Sequence, residues 1–179
     1  MLVIPIESTT MASTDNTPGP IVRVGLIGCG EVAQTVQIPT LGFLQSRFAV
    51  TYLCDVSQNS MDYCARRVFG AQPPKKTSDA AILCASTEVD VVFILSSNEY
   101  HADQAVLALQ HGKHVLIEKP AALNLEDLQR IRAAERESSG KVMVGYMRQY
   151  APAFADAVKE IGGLDKILYA RVRGQSVVE

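Results

Sequence analysis

The chain has 179 residues, of which 47% are hydrophobic and 20% charged, a balance that predicts a soluble globular protein with one sizeable core. Its formal charge is −2, with acids and bases interspersed, so we expect no nucleic acid or membrane partner. Because no apolar run approaches the ~20 residues of a membrane span and no signal peptide is recognisable, we expect a cytoplasmic protein.

The four cysteines are predicted to be buried and reduced, because none pairs with another at zinc-ligand spacing. The histidines at positions 101, 111 and 114 match no metal-binding template either. We therefore predict neither a disulfide framework nor a metal site.

Residues 1–20 are predicted to be a flexible leader, since they end in a polar stretch with proline and glycine. From Ile21 onward, strand and helix signals alternate. Strands are predicted at 21–27, 48–54, a short edge segment after Pro74, 89–95, 115–117 and 142–145. Helices are predicted at 32–44, from Ser57 or Asn59 to 69, at 78–84, from 102 to Gly112, and from the cap Asn124 to Gly140, the last with Leu125, Leu128 and Ile131 inward.

Strands that alternate with helices in this way predict an α/β fold with a doubly wound parallel sheet, because parallel neighbours need crossover connections. We assign this domain to residues 21–148. Beyond it the pattern changes to a helix at 152–161, a turn at Gly162-Gly163 and a strand at 167–172. Since a last strand without a partner is a liability, residues 149–179 are expected to be a hinge and the start of a truncated second, α+β domain for substrate binding and oligomerisation.

A glycine turn follows the first predicted strand and opens the first helix. Its pattern is Gly28-x-Gly30-x-x-Ala33. Gly28 permits the tight turn, Gly30 lets backbone N–H groups approach a pyrophosphate, and Ala33 lets the helix pack closely on the strand. Asp55, at the end of the second strand, stands where an acid accepts the ribose hydroxyls of a dinucleotide. The alternative is that the glycines only turn the chain and Asp55 only caps a helix.

The acid at position 55 favours NAD over NADP, because its charge would repel a 2′-phosphate. No arginine follows it directly to accommodate that group. NADP is therefore the less favoured cofactor.

Polar residues gather at the carboxyl ends of the later strands, where ligands of open α/β sheets bind. In the usual strand order, Asn98, Lys119 and Arg148 should converge near the nicotinamide. Lys119 could orient an alcohol, stabilise oxyanion charge and pass on a proton, while Pro120 stiffens its turn and Glu118 holds it in place. The alternative is that Glu118 and Lys119 are only the solvated exit of a strand. His101 either faces the site or merely begins a helix.

Three segments closely resemble the N-terminal half of the Gfo/Idh/MocA oxidoreductases. They are Val24-Gly-Leu-Ile-Gly-Cys-Gly-Glu-Val-Ala33, the Ser-Ser-Asn-Glu-Tyr-His run that ends at His101, and Gly112-Lys-His-Val-Leu-Ile-Glu-Lys-Pro120. The segment from Val144 to Pro152 resembles the hinge into the second domain of that family. Two departures are the Ser96-Ser97-Asn98 run, where members often have Thr-Pro-Asn, and the missing second domain.

The resemblance implies a Rossmann domain and an NAD(P)-dependent dehydrogenase that transfers a hydride between nicotinamide and a sugar, polyol or related alcohol. Lys119 is its implied catalytic residue. The predicted cofactor contacts are Gly28, Gly30, Glu31, Val32, Asp55, Ser96, Asn98, His101, Glu118, Lys119 and Arg148. The complete protein is expected to be a homo-oligomer. The rival hypothesis is a regulator of the same fold that senses NAD(P) without chemistry.

Overall fold

The computed structural model describes residues 19–70, 72–163 and 166–169. Six strands form one sheet: β1 (Val22–Ile27), β2 (Phe48–Cys54), β3 (Lys75–Thr77), β4 (Val91–Ile94), β5 (His114–Ile117) and β6 (Val142–Val144). Every neighbouring pair is parallel and the order is β3-β2-β1-β4-β5-β6. The prediction of a doubly wound parallel sheet is confirmed, with the strand order reversing between β1 and β4.

Helices connect the strands. They are α1 (Ile38–Phe43), α2 (Gln58–Ala65), α3 (Ala80–Ala85), α4 (His101–Gln110), α5 (Leu125–Glu137) and α6 (Pro152–Ile161). A π-helical turn, Ala33–Gln37, leads into α1, and 3-10 turns at Asn98–Tyr100 and Met147–Tyr150 precede α4 and α6. Ser57 and Asn124 cap α2 and α5 by accepting bonds from the Ser60 and Asp127 amides.

Hydrophobic residues cover both faces of the sheet. On one face, α1 and α2 pack Ile38, Leu41 and Met61 against β1 and β2. On the other face, α3, α4 and α5 cover Val92, Ile94 and the strands beside them. A sheet buried on both faces explains why its central strands read as continuous apolar runs.

Two details of the predicted helices are wrong. The helix expected to reach residue 69 ends at Ala65, because the chain then turns and packs Phe69 against α1. The packing is close: a Cβ added to Gly42 of α1 would lie 2.4 Å from the Phe69 ring. In α5 only Ile131 is buried: Leu125 is 74% exposed and Leu128 is partly exposed. The first turn of α5 lies at the carboxyl edge of the sheet, where Leu125 and Leu128 line a shallow apolar depression with Tyr146.

The expectations for the two ends of the chain are tested only in part. Residues 1–18 of the expected leader lie outside the described residues. The helix over Pro152–Ile161 is present and Gly162 ends it with φ 82°. The expected strand at 167–172 is not formed over 167–169, and 170–172 lie outside the described residues. Among the residues that the structure describes, the helices lack the length and hydrophobicity of a membrane span.

An ion pair joins β1 to the residue before β4. Asp90 accepts bonds from the backbone amide of Arg23 at 2.8 Å and from its Nε at 2.9 Å, and a second guanidinium nitrogen contacts the other carboxylate oxygen. These bonds lower the pKa of Asp90 below its usual value. A carboxyl whose pKa is lower in the folded state stabilises the fold above its unfolded pKa of about 3.9 and loses that contribution as pH falls further.

We therefore expect Asp90→Asn to lower the melting temperature by a few degrees at neutral pH, with a difference from the parent that shrinks below the unfolded pKa. Thermal unfolding followed by circular dichroism at several pH values measures this. Asp103→Asn is the control, because that carboxylate is 70% exposed in its pair with Arg130 and should contribute little. An Asp90 effect that does not change with pH would contradict the explanation.

Candidate functional site

The turn after β1 accepts only glycine at position 28. Gly28 has φ 97°, and an added Cβ would lie 2.7 Å from the backbone of Leu95 and Ser96. Its amide donates to the Cys54 carbonyl at 2.8 Å, which ties the turn to the end of β2. The turn thus passes close under the carboxyl end of β4.

Gly30, two residues on, is open toward solvent. An added Cβ there would meet nothing within 4 Å. The Gln34 amide bonds to the Gly30 carbonyl at 3.1 Å, so the amides of Glu31, Val32 and Ala33 come before this first helical bond. Ala33 is fully buried against the sheet. Free space beside N–H groups at the start of a helix suits an anion such as a pyrophosphate.

Asp55 is bonded to the same turn. Its Oδ2 accepts from the Cys29 amide at 2.7 Å, and its Oδ1 accepts from the Ser57 amide at 2.8 Å. Because each carboxylate oxygen has a second lone pair, the group can still accept bonds from hydroxyls of a ligand. Asp55 therefore fixes the turn and leaves acceptor capacity at the mouth of the crevice.

A crevice of ≈ 580 Å³ opens between these residues and the loop after β4. Its volume is within the usual range for small-molecule sites. The lining includes Gly28, Gly30, Asp55 and Ser96. Val56, which is 94% exposed, and Tyr100 add apolar surface that could cover a flat ring. Sequence reasoning missed both residues.

Two further residues also escaped the sequence analysis. Gln104 accepts a bond from the Ser96 hydroxyl at 2.6 Å and lines the crevice. Gln37 donates to Glu118 Oε1 at 3.4 Å. The signal for Tyr100 and Gln104 was their i, i+4 spacing directly after the polar run at the end of β4, which places both on one side of a helix.

At the end of β5, Glu118 contacts the backbone of Lys119 rather than its ammonium. The Lys119 amide donates to Glu118 Oε2 at 3.3 Å. The Lys119 side chain is exposed, and the Lys119-Pro120 peptide bond is cis. The ammonium is thus available to a ligand at the carboxyl edge.

The sheet order decides how the remaining candidates are arranged. Asn98, Lys119 and Arg148 follow β4, β5 and β6, which are consecutive neighbours, and all three side chains are exposed. Because strands lie about 4.8 Å apart, β5 is roughly 10 Å and β6 roughly 14 Å from β1. Lys119 is therefore nearer to the glycine turn than Arg148, which lies on the far side of the lysine.

His101 is buried rather than exposed to the crevice. Its side chain is 0% exposed, so the ring offers no surface to a cofactor in this structure. Its Nδ1 lies 2.8 Å from the Pro120 carbonyl oxygen and its Nε2 lies 3.0 Å from that of Ser96. The ring begins α4 and also joins two loops of the site.

All four cysteines are free thiols with buried side chains. Desolvation by burial raises the pKa of the Cys54 thiol to about 11 and that of Cys84 to about 12, and it raises the pKa of Cys29, inside the turn, still further. Neutral, buried thiols of this kind are structural. Within the described ranges, no group of three His, Cys, Asp or Glu residues could hold a metal ion.

A doubly wound sheet with a glycine turn after β1 and an acid after β2 defines a dinucleotide-binding domain. Residues 22–146 match the family model GFO_IDH_MocA, described as an oxidoreductase family with an NAD-binding Rossmann fold. The chain belongs to this family, as the resemblance implied.

Three relatives show the range of the family. A 1-carboxy-3-chloro-3,4-dihydroxycyclohexa-1,5-diene dehydrogenase from Comamonas testosteroni is 34% identical over 84% of this chain and 36% of its own length. The myo-inositol dehydrogenase of Lactobacillus casei, solved with NAD(H) and myo-inositol, is 26% identical with a TM-score of 0.73 over 80% of this chain and 42% of its own. A 3-ketoreductase from Actinomadura kijaniata, solved with NADP, is 26% identical with a TM-score of 0.70 over 80% and 44%. The chain thus spans about two fifths of the length of these relatives.

Proposed function

We propose that this chain binds NAD in the crevice and forms the cofactor-binding part of a dehydrogenase for a sugar, polyol or related alcohol. The observation that carries the proposal is the turn itself. It combines a position that only glycine can occupy, Gly28, with a second position, Gly30, where the space for a side chain is left empty. That empty space lies beside the first N–H groups of the helix, where an anion can bind.

The residues present fit a dinucleotide. The amides at the start of the first helix would bind the pyrophosphate, Asp55 would accept bonds from the ribose, and Val56 and Tyr100 would flank the crevice. When bound, NAD supplies the acceptor for the two electrons removed from an alcohol. Ser96, Asn98 and Glu118 follow β4 and β5 and would border its nicotinamide half.

Lys119 would carry the proton chemistry at the carboxyl edge. As an ammonium it can donate a hydrogen bond to the oxygen of a substrate, stabilise negative charge that develops there and release a proton to it when a carbonyl is reduced; as a neutral amine it can accept the proton that an alcohol loses on oxidation. The Glu118 carboxylate makes two long contacts, with the Lys119 amide at 3.3 Å and with the Gln37 side-chain amide at 3.4 Å, and would help to orient the lysine. Arg148 follows β6, one strand further out, and its predicted contact with the nicotinamide half of the cofactor stays a prediction.

The substrate class is supported by the names of the relatives. They act on a dihydroxycyclohexadiene, on myo-inositol and, as a 3-ketoreductase, on a ketone. Two of the names are those of dehydrogenases of hydroxylated ring compounds, and the third is that of a ketoreductase. We propose the same reaction class for the whole protein of which this domain is part.

Titration of the 179-residue chain with NAD⁺ and NADH tests the proposal. Ligand at 100 times its dissociation constant should stabilise the fold by about 2.7 kcal/mol, a shift that a thermal melt detects. Oxidation of myo-inositol and other polyols is then followed by the absorbance of reduced nicotinamide. If neither NAD⁺ nor NADH binds to the chain or stabilises it, the proposal is refuted.

The cofactor preference is tested at Asp55. Asp55→Asn removes the charge and leaves one acceptor where the carboxylate has two, so we expect the Kd for NAD⁺ to rise about tenfold or more. The ratio of the Kd for NADP⁺ to the Kd for NAD⁺ should fall, because the carboxylate no longer repels the 2′-phosphate of NADP⁺. Isothermal titration calorimetry with both cofactors measures this, with the exposed Asp156→Asn in α6 as control. An unchanged ratio of the two affinities would contradict the assignment.

We also propose that the whole protein self-associates and resides in the cytoplasm. β6 lies at the edge of the sheet, and exposed apolar side chains surround it, among them Leu125, Met143, Tyr146 and Met147. Free buried cysteines suit a reducing compartment. Sedimentation velocity over a range of concentrations tests the association, and a monomer throughout would contradict it.

A further inference from the structure

The buried imidazole of His101 joins the two loops that carry the candidate site. Of the residues that the structure describes, His101 is the only polar one whose side chain is fully buried. Its two ring nitrogens face the carbonyl oxygens of Pro120 at 2.8 Å and of Ser96 at 3.0 Å. A carbonyl oxygen can only accept, so the ring must donate each bond that forms.

These carbonyls lie just beyond the point where the sheet stops holding β4 and β5 together. The strands pair as far as Ile94 and Ile117, and the last backbone bond runs from the Glu118 amide to the Ile94 oxygen at 3.0 Å. Pro120 has no N–H with which to continue the ladder. The imidazole thus bridges the segments that follow β4 and β5, where backbone hydrogen bonding between these strands has ended.

Lys119 lies between two residues that are held with different strength. On one side, its amide contacts the Glu118 side chain at 3.3 Å, which is long for a hydrogen bond. On the other side, the Pro120 carbonyl meets His101 at 2.8 Å. The ring itself begins α4, whose inner residues Ala102 and Ala105 are buried against the sheet. A rigid helix therefore holds the turn through one side chain.

We propose that His101 is a positioning residue for Lys119: it donates from Nδ1 to the Pro120 carbonyl, fixes the turn that carries the lysine, and makes no contact with the cofactor. Nε2 of the same ring lies 3.0 Å from the Ser96 carbonyl oxygen, and it can donate there as well only when the ring carries both protons. The consequence for ligand binding rests on the proposed NAD site, whereas the effect on the turn does not.

Two substitutions separate the two ring nitrogens. In His101→Asn the amide nitrogen takes the place of Nδ1 and can still donate to Pro120. In His101→Gln it reaches instead toward the place of Nε2 and Ser96. His101→Phe fills the same space and donates neither bond. A merely structural role predicts that the Asn and Gln variants behave alike, since each keeps one donor.

The readout is the backbone amide spectrum of Lys119 and Ala121, recorded by ¹H–¹⁵N NMR on the 179-residue chain. In the absence of ligand we expect His101→Asn to keep both signals near their parent positions, and His101→Gln and His101→Phe to shift them. With NAD⁺ the Gln and Phe variants should show a Kd raised about threefold to tenfold, the effect of one hydrogen bond, and the Asn variant should not.

Equal shifts in the Asn and Gln variants, or shifts in neither, would overturn the assignment. If the Phe variant does not fold, the Asn and Gln pair still decides. If the parent chain does not bind NAD⁺, the proposed function fails, while the spectra without ligand continue to test His101 independently.

Discussion

Replacing Gly30 with valine is expected to abolish NAD binding and to leave the fold intact. An added Cβ at this position meets nothing within 4 Å, and its backbone φ is not in the left-handed region, so the folded chain has room for the side chain. That room is the space in which a pyrophosphate would contact the helix amides. We expect the Kd for NAD⁺ to rise at least about 100-fold, because a single misfitted group removes several charge-assisted hydrogen bonds. Calorimetric titration and a thermal melt measure the two properties separately.

Two other glycines bracket this result. Gly19→Val is the matched control, since a Cβ there also meets nothing within 4 Å but lies before β1, away from the turn. Gly28→Val should instead prevent stable folding, because its Cβ would lie 2.7 Å from backbone atoms of Leu95 and Ser96. A Gly30 variant that binds NAD⁺ as tightly as the parent would refute the placement of the pyrophosphate.

In the whole protein of which this domain is part, Lys119→Met is expected to remove most of the turnover while cofactor binding persists. A positioned acid or base contributes about 10²–10⁴-fold to a rate, and Lys119 is the exposed ammonium after β5, the strand two positions from the glycine turn. Methionine has a similar length and no charge. The loss should appear in kcat, with little change in the Kd for NAD⁺, and is measured by polyol oxidation.

Lys141→Met serves as the control for this substitution. Lys141 is also exposed, but it precedes β6 and therefore lies at the opposite edge of the sheet. Turnover that depends on Lys119 and not on Lys141 excludes a regulator that only senses the cofactor. Equal activity of both variants would remove Lys119 from the reaction.

Much of the fold could be predicted because its signals are local. Apolar runs such as 89–95 define strands that are buried on both faces, and glycines and caps such as Gly112 and Asn124 define helix ends. The end of α2 could not be predicted, because it depends on the contact of Phe69 with Gly42, which are far apart in sequence. The inward face of α5 was misjudged because its periodicity does not show how far the helix extends past the sheet.

The candidate site divides in the same way. Gly28, Gly30 and Asp55 follow from their spacing around a strand and a helix, and Lys119 from its place before a proline. That His101 is buried could not be inferred, because its two partners lie on loops that only the sheet brings together. Nor could Gln37 be linked to Glu118, which is distant in sequence.

The bond between the Asp55 carboxylate and the Cys29 amide means that the corner which would receive the phosphates is already shaped before any ligand arrives. A preorganised binding site loses little conformational entropy when the ligand binds, so more of the interaction free energy appears as affinity. The same bond couples the two halves of the site. A ligand hydroxyl that shifts the Asp55 carboxylate would also shift the glycine turn that would bind the phosphates.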